Sequence, residues 1–384
     1  MENKVSVKRK SGRVTLYPSA YEGIRALHGV EIGVYEREVC TNLPVRDGII
    51  VSPYYKMKIN GRAVPVYASR SANGIHSFVY IDVEGGEDGN LRLKAEITAT
   101  ENSTALQRED AFAVVLPQSS GVIAEVKNGK ATAKINSYGS YSFAFNGNHI
   151  EPITLVIKRF EPFFVPEGYE VEKIAPGTYS AEQTCFKREN TVYYFGKGRY
   201  ETDVIRLPAN SILYLDRGAY ITVIPSPDDA VENAVSVCGN KNIRIEGRGI
   251  IDFSACCGGE NGPEHVNNKA GVALSGVAGV SVRGLSIVNA QSWSLCFYDC
   301  KDVYVSDVFI MGYRVFSDGV MLSDCCGGLV ENCFVRTGDD AFETKSTTKT
   351  GKTDKILFRN NAAWTDKAVA YGCVYESNQD TENV

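Results

Sequence analysis

The chain lacks the features that would tie it to a membrane or to nucleic acid. No apolar run approaches the roughly 18 residues that span a bilayer, and residues 1–5 do not begin an apolar secretory signal. We therefore expect no membrane partner, and either an intracellular location or an N-terminus that has been trimmed. The formal net charge of −5 over 384 residues gives no reason to expect nucleic acid as a partner.

The chain also lacks the spacing of a zinc site. Its four histidines are scattered, and no Cys/His cluster has ligand spacing. The eleven cysteines include the adjacent pairs 256–257 and 325–326, which suit neither ordinary disulfides nor a CxxC zinc site. We expect no metal site, and we interpret the cysteines as buried small apolar residues of a reduced protein.

Residues 1–160 have the pattern of short, half-buried strands. Apolar and polar residues alternate, and Gly, Asn or Pro separates the segments, which is typical of antiparallel sheets. The sequence therefore predicts an antiparallel β-sandwich that serves as a structural or carbohydrate-contacting accessory domain. The clearest segments are 14–17, 57–60, 77–81, 91–94 and 153–157.

After a junction predicted over 161–189, residues 190–384 read as a repeat. Apolar strand positions recur at 212, 243, 280, 303, 329 and 356, and the shorter intervals equal about one coil of a parallel β-helix. A propeller would need four strands per ~40 residues with a repeat signature of its own, which is missing. We expect a right-handed parallel β-helix and an all-β chain. Stacked ladders of like residues are expected at Asn289, Asn332 and Asn360, and at Cys300 and Cys326.

Three carboxylates are spaced for one face of that helix. Asp318 precedes Asp339 by 21 residues, close to one coil, so stacking places it beside Asp339 and Asp340. Like charges this close raise at least one pKa, so one group can stay protonated while its neighbours ionise. Glycosidases need this division between an acid for the leaving oxygen and a base for water.

The motifs around these aspartates resemble glycoside hydrolase family 28, the polygalacturonases, and more distantly the family 49 dextranases. Residues 316–319, Phe-Ser-Asp-Gly, are similar to the family's Asn-Thr-Asp-Gly, and residues 337–346 contain its Gly-Asp-Asp…Lys-Ser. Residues 292–295, Ser-Trp-Ser-Leu, followed by 300–303, Cys-Lys-Asp-Val, are similar to its Ser-Pro-Phe-Trp and Cys-x-Asn-Val. The resemblance spans roughly residues 190–376.

The resemblance implies roles for the aspartates. Asp339 would be the general acid, Asp318 and Asp340 would orient and deprotonate water, and the anomeric configuration would invert without a cofactor. Two departures concern the substrate. Lys367 stands where the family has the His of Gly-His-Gly, and the family's Arg-x-Lys would fall beyond Val384. We expect the chain to be a fragment that is truncated at its C-terminal end.

The expected substrate is an α-linked polysaccharide or oligosaccharide, with pectin-type galacturonan ahead of neutral α-glucan. Two alternatives remain: a polysaccharide lyase with Ca²⁺ on the three aspartates and Lys367 as base, and a non-catalytic carbohydrate-binding scaffold. The sequence does not determine the oligomeric state. The candidate substrate-binding residues are Trp293, Lys345, Lys367, Tyr371 and Glu376.

Overall fold

A computed structural model divides the chain into two compact units. Of the residues from 49 onward, the first unit contains 49–69 and 74–164, and the second contains 70–73 and 165–384. The described part contains one 3₁₀ turn, Gln118–Ser120, and otherwise its regular structure is all strand. Within that part, no helix is long and apolar enough to cross a membrane. The structure describes residues 5–8, 13–16, 24–25, 31–32, 34–36, 49–84, 91–225, 233–256, 270–348, 351–373, 377, 381–382 and 384.

The first unit contains two larger sheets that share a hydrophobic core. Alternation sets the inward face: in Tyr55–Ile59 the side chains at 55, 57 and 59 are buried, while both lysines between them are exposed. The core joins residues of both sheets, among them Ile97 and Leu155, so the predicted sandwich is confirmed. It contains one parallel pair, Gly74–Val83 with Asn148–Arg159, that the sequence pattern did not indicate.

The strands of the first unit fall into these sheets. The seven-stranded sheet has the order Ala113–Leu116, Gly139–Phe145, Asn148–Arg159, Gly74–Val83, Tyr67–Ser71 and Ile50–Val51, with Val34–Glu36 also on Gly74–Val83. The five-stranded antiparallel sheet has the order Ala124–Lys127, Lys130–Ile135, Leu93–Ala99, Tyr55–Ile59 and Arg62–Val64. Two further pairs are Val5–Lys8 with Arg13–Leu16, and Ile24–Arg25 with Glu31–Ile32.

The second unit is a right-handed parallel β-helix built from three sheets, which we call A, B and C. Sheet A has nine strands: Glu170–Ile174, Thr191–Phe195, Ser211–Leu215, Lys241–Gly247, Ala278–Arg283, Lys301–Ser306, Cys326–Glu331, Thr353–Arg359 and Thr381–Glu382. Sheet B has eight: Gly177–Thr178, Gly198–Thr202, Ala219–Val223, Ile250–Asp252, Ser286–Val288, Phe309–Met311, Phe334–Thr337 and Ala362–Thr365. Sheet C has seven: Ile205–Arg206, Val235–Cys238, Val272–Ser275, Leu295–Tyr298, Val320–Ser323, Phe342–Lys345 and Tyr371–Cys373.

Each coil buries its inward side chains by stacking them on the same position of the next coil. All six predicted strand segments of the repeat lie in sheet A, where Ile243, Val280 and Val303 are in register. In sheet C the inward row runs through Val272, Leu295, Val320 and Phe342, all fully buried. This packing is the reason an apolar residue recurs once per coil.

The predicted ladders are partly displaced. Cys326 pairs with Lys301 and is exposed, so Cys325, which is buried, is the residue that stacks on Cys300. The error of one residue reverses the side of the strand, because neighbouring side chains point to opposite faces. Asn332 and Asn360 both follow sheet A strands and have positive φ, whereas Asn289 follows a sheet B strand. Asn289 therefore does not share their ladder.

The cysteines and the junction need similar corrections. Within the described residues the cysteines form no disulfide, but Cys238, Cys326 and Cys373 are exposed rather than buried. The junction predicted over 161–189 contains the first coil, because Glu170–Ile174 pairs with Thr191–Phe195 in parallel. The sequence pattern did not indicate this strand because Glu170, Glu172 and Lys173 are charged. It is the terminal strand of sheet A and therefore pairs on one side only.

Candidate active site

The three aspartates lie in connections from sheet B to sheet C, which we call the B–C turns. The turn at 312–319 contains Asp318, and the turn at 338–341 in the next coil contains Asp339 and Asp340. Hydrogen bonds continue the sheet C ladder into these turns, since Gly319 N–H donates to Asp340 O over 2.8 Å. The register therefore stacks Asp318 on Asp340, with Asp339 one residue earlier in the chain.

Two glycines allow the B–C turns to approach this closely. A Cβ on Gly319 would lie 2.2 Å from the carbonyl oxygen of Ala341, and one on Gly338 would lie 2.4 Å from that of Arg314. Both distances are far inside van der Waals contact, so only glycine fits. This is the local reason for an Asp-Gly in one turn and a Gly-Asp-Asp in the next.

A buried arginine fixes the first of these turns. Arg314 is 1% exposed, and its guanidinium donates to the carbonyls of Asn289 at 2.9 Å and Cys256 at 2.7 Å. Ser317 Oγ donates to Arg314 O at 2.7 Å and accepts from Gly338 N–H at 3.3 Å. The two turns are therefore held together by hydrogen bonds that do not involve the carboxylates.

The carboxyl group of Asp318 is buried among other acids. Burial, together with the nearby charges of Glu343 and Asp339, raises the pKa of Asp318 to about 9. Lys345 opposes the shift by its positive charge. This shift favours the protonated form of Asp318 at neutral pH, and a raised pKa is what close like charges predict for at least one of the aspartates.

Asp339 and Asp340 differ in exposure. Asp339 is half-buried, whereas Asp340 is buried. Asp340 N–H donates to Asp339 Oδ1 at 3.0 Å, and Val369 N–H donates to Asp340 Oδ1 at 3.0 Å. These bonds fix the direction of both side chains, and they leave Asp339 as the most accessible of the three.

Glu343 is a fourth carboxylate of the site, and the sequence analysis did not select it. It is fully buried, and Lys345 Nζ lies 3.2 Å from its Oε2. Burial raises the pKa of Glu343, while Lys345 and Asp318 oppose that shift. In the sequence, the signal was an acidic residue in a strand position three residues after Asp340.

Cys296 and Tyr298 lie beneath the acids on the outward face of sheet C. Burial raises the pKa of both groups, and the charges of Asp318 and Glu343 add to each shift. Neither residue was selected from the sequence, because a cysteine and a tyrosine in a strand are ordinary β residues. These two side chains form a largely apolar layer beneath the carboxylates.

Trp293 and Lys345 are brought to the same place. Lys345 Nζ lies 5.6 Å from the centre of the Trp293 ring, in the range of a cation–π contact. Trp293 is half-buried and packs against Cys296 and Met321. Lys345 is 6% exposed, so its charge interacts mainly with other groups of the protein rather than with solvent.

The other candidate binding residues lie apart from this group. Lys367 is exposed in the B–C turn 366–370, two residues before the Val369 N–H that binds Asp340. Tyr371 stands in the inward row of sheet C, stacked on Phe342 with ring centres 5.0 Å apart. Glu376 lies outside the described residues.

Asp366 has a structural partner. Its carboxylate forms an ion pair with Arg336 at 2.9 Å, and both side chains are buried. Arg336 also lies over the Trp364 ring at 4.7 Å. Across the described residues, no group of His, Cys, Asp and Glu is arranged to hold a metal ion.

The comparisons with known proteins agree with this architecture. Residues 228–384 match Glycosyl hydrolases family 28. Dex49A from Penicillium minioluteum is similar at a TM-score of 0.59 and 13% identity, over 90% of this chain and 75% of that one. No curated protein matches the chain.

Two polygalacturonase structures also match, over about half of this chain. The polygalacturonase from Erwinia carotovora ssp. carotovora has a TM-score of 0.42 and 14% identity, over 52% of this chain and 66% of that one. The hyperthermoactive exopolygalacturonase from Thermotoga maritima has a TM-score of 0.40 and 16% identity, over 50% and 64%. Together, the three-sheet coil and the match over residues 228–384, which is less than half of the chain, make the β-helical unit similar to glycosyl hydrolase family 28 and support a glycoside hydrolase of the β-helix type.

Proposed function

We propose that the β-helical unit hydrolyses an α-linked polysaccharide or oligosaccharide with inversion, and that Asp339 is its general acid. The observation that supports this most is the stacking of Asp318 on Asp340 beside the more exposed Asp339. An acid that reaches the leaving oxygen and a base behind it, with room for water, are what single-displacement hydrolysis requires.

In the proposed reaction, the carboxyl proton of Asp339 passes to the glycosidic oxygen as the bond from C1 to that oxygen breaks. A water molecule attacks C1 from the opposite face and gives its proton to Asp340. Asp318 orients that water. The product sugar has the inverted anomeric configuration, and proton exchange with solvent returns Asp339 and Asp340 to their starting states.

Sugar binding is proposed for the residues around the acids. Trp293 is half-exposed beside Lys345 and offers an aromatic face to a sugar ring. Lys367 is exposed near Asp340 and can reach a sugar hydroxyl or carboxylate. Tyr371 and Glu376 remain predictions from the sequence.

Polygalacturonase activity on pectin-type galacturonan is the first activity to test, followed by hydrolysis of neutral α-glucans. The experiment measures reducing ends released from galacturonan, rhamnogalacturonan, dextran and pullulan, with and without EDTA. Asp339→Asn is the test variant. We expect release from one substrate class, loss of it in Asp339→Asn, and no effect of EDTA.

Other outcomes would favour the alternatives. Cleavage that EDTA abolishes and that yields an unsaturated product would favour a Ca²⁺-dependent lyase instead. Sugar binding without cleavage, equal in wild type and Asp339→Asn, would favour a binding scaffold.

A further inference from the structure

We propose that Glu343 is a positioning residue of this site, which shares one proton with Asp318 and so leaves Asp340 as the only base. The proposal adds a residue to the proposed hydrolytic site and rests on that function for its mechanistic meaning. The shared proton itself can be measured without turnover.

The position of Glu343 in the β-helix is unusual. Register places it on Met321, which lies on Cys296, which lies on Ala273. These three residues form a small apolar cluster of their own. Glu343 thus continues an apolar row with a carboxylate, in the coil that contains Asp339 and Asp340.

The carboxylate oxygens of Glu343 are left without hydrogen bonds. Both are buried, and neither receives one of normal geometry from the part of the chain that the structure describes. Lys345 Nζ lies 3.2 Å from Oε2 and supplies charge. A buried acceptor without a donor destabilises the folded state, so a proton held between Glu343 and Asp318 would remove that cost.

Asp318 is the neighbour that can supply this proton. The two side chains interact by a hydrogen bond once Asp318 is protonated, which favours the acid form of Asp318 and the ionised form of Glu343. Two buried carboxylates this close cannot both ionise without strong repulsion. The titratable groups that face the pair are Cys296, Tyr298, Asp339, Asp340 and Lys345.

Because Asp318 shares its proton with Glu343, it has a different role from Asp340, on which it stacks. While Asp318 holds the proton, it can donate a hydrogen bond to Glu343 but cannot take a proton from water. Asp340 then accepts the proton of the attacking water, and Asp318 serves to orient. Glu343 does not touch the reacting atoms and acts through Asp318.

The test is an infrared pH titration of the protonated carboxyl band, assigned by subtracting the spectrum of Asp318→Asn. In the wild type we expect the Asp318 band to persist at pH 7 and to disappear with a midpoint near pH 9. In Glu343→Gln, which keeps the shape but not the charge, the midpoint should fall by at least about one pH unit, a tenfold loss of proton affinity.

Two further variants keep the test decisive. Glu343→Met restores the apolar row seen at Met321 and should also lower the midpoint if Glu343→Gln does not fold. Glu331→Gln removes a carboxylate from sheet A and should leave the midpoint unchanged. Asp252, which is fully buried and has a raised pKa, contributes equally to all spectra and cancels.

A midpoint that stays the same in Glu343→Gln and Glu343→Met, or an Asp318 band that is missing at pH 7, would overturn the proposal. Failure of the proposed hydrolysis looks different. In that case no sugar would be cleaved, while the titration would still report the proton shared by Asp318 and Glu343.

Discussion

Carboxylates on the outward faces of sheets A and C have opposite environments. On sheet A, Glu331 meets Arg359 at 2.7 Å and accepts from Tyr304 Oη at 2.9 Å. Arg359 is half exposed, so the pair is in contact with solvent. At sheet C, Asp318 in its B–C turn and Glu343 on the strand are buried with other acids, and both interact with the buried Lys345.

This comparison indicates which carboxylates lower the stability of the folded state. A paired carboxylate near the surface costs little and contributes little, typically 0–1 kcal/mol. Buried carboxylates that face each other destabilise the folded state unless one is protonated. The β-helix tolerates this arrangement on sheet C, in the coils of its candidate active site, and not in the sheet A pairs.

The largest expected effect is on catalytic activity, and it distinguishes the carboxylates at sheet C from those on sheet A. Asp340→Asn should lower kcat by roughly 10²–10⁴-fold, because a general base contributes about that factor. Glu331→Gln, the matched change on sheet A, should leave kcat within about twofold. Initial rates on whichever substrate of the panel is cleaved measure both. Similar losses in the two variants would mean that the sheet C carboxylates have no special role.

The next effect concerns the contact that stacks the aspartates. Gly319→Ala puts a Cβ 2.2 Å from Ala341 O and should lower the free energy of unfolding by roughly 1–3 kcal/mol, together with activity. Gly196→Ala is the control, because its Cβ meets only the Tyr194 side chain, at 3.3 Å. Thermal unfolding of both variants tests the difference, and equal losses would contradict it.

A smaller effect comes from the pH dependence of stability. The folded state holds the Asp318 proton up to about pH 9, whereas the unfolded chain releases it near pH 4. Wild-type stability should therefore fall as pH rises between these values. Asp318→Asn removes this loss, so we expect it to unfold at a higher temperature than wild type at pH 8. Linkage gives a slope of up to about 1.4 kcal/mol per pH unit between these values, so the gain at pH 8 should be at least on the order of 1 kcal/mol, or about 2–4 °C.

At pH 4 the advantage of Asp318→Asn should shrink, because the folded wild-type chain then holds the Asp318 proton and the unfolded chain is about half protonated at the same residue. Midpoints of thermal unfolding at pH 4, 6 and 8 measure the trend. An advantage that does not grow with pH would show that Asp318 is ionised in the folded protein.

The smallest effect is expected on sheet A. Glu331→Gln should change the free energy of unfolding by less than about 1 kcal/mol, since its partner Arg359 is half exposed and can return to water. Denaturant unfolding measures it. A loss of several kcal/mol would place an essential charge pair on sheet A and weaken the contrast between the two faces.

The sequence predicted the features that depend on local pattern. The six repeat segments all fall in sheet A, since those strands are long enough to show alternation, as in Ala278–Arg283. The spacing of Asp318 from Asp339 and Asp340 indicated their turns, because one coil separates them. The strands of sheets B and C were not found individually, since stretches such as Ser286–Val288 are three or four residues long and fully buried.

Features that depend on the exact register of the strands could not be predicted from the sequence. The meaning of Glu343 appears only when Met321 and Cys296 are seen beneath it, and that needs the number of residues in each turn. The same uncertainty placed Cys326 where Cys325 stacks. A single residue of register decides which side of a strand a side chain occupies, and sequence spacing alone does not fix it.

The most direct test of the account is the anomeric form of the first product, followed by proton NMR before mutarotation. If Asp339 and the stacked pair Asp318 and Asp340 act by single displacement, an α-linked substrate should release a β-anomer first, and Asp339→Asn should release none at a measurable rate. An α-anomer as the first product would require a covalent intermediate, and it would contradict the roles assigned to these carboxylates.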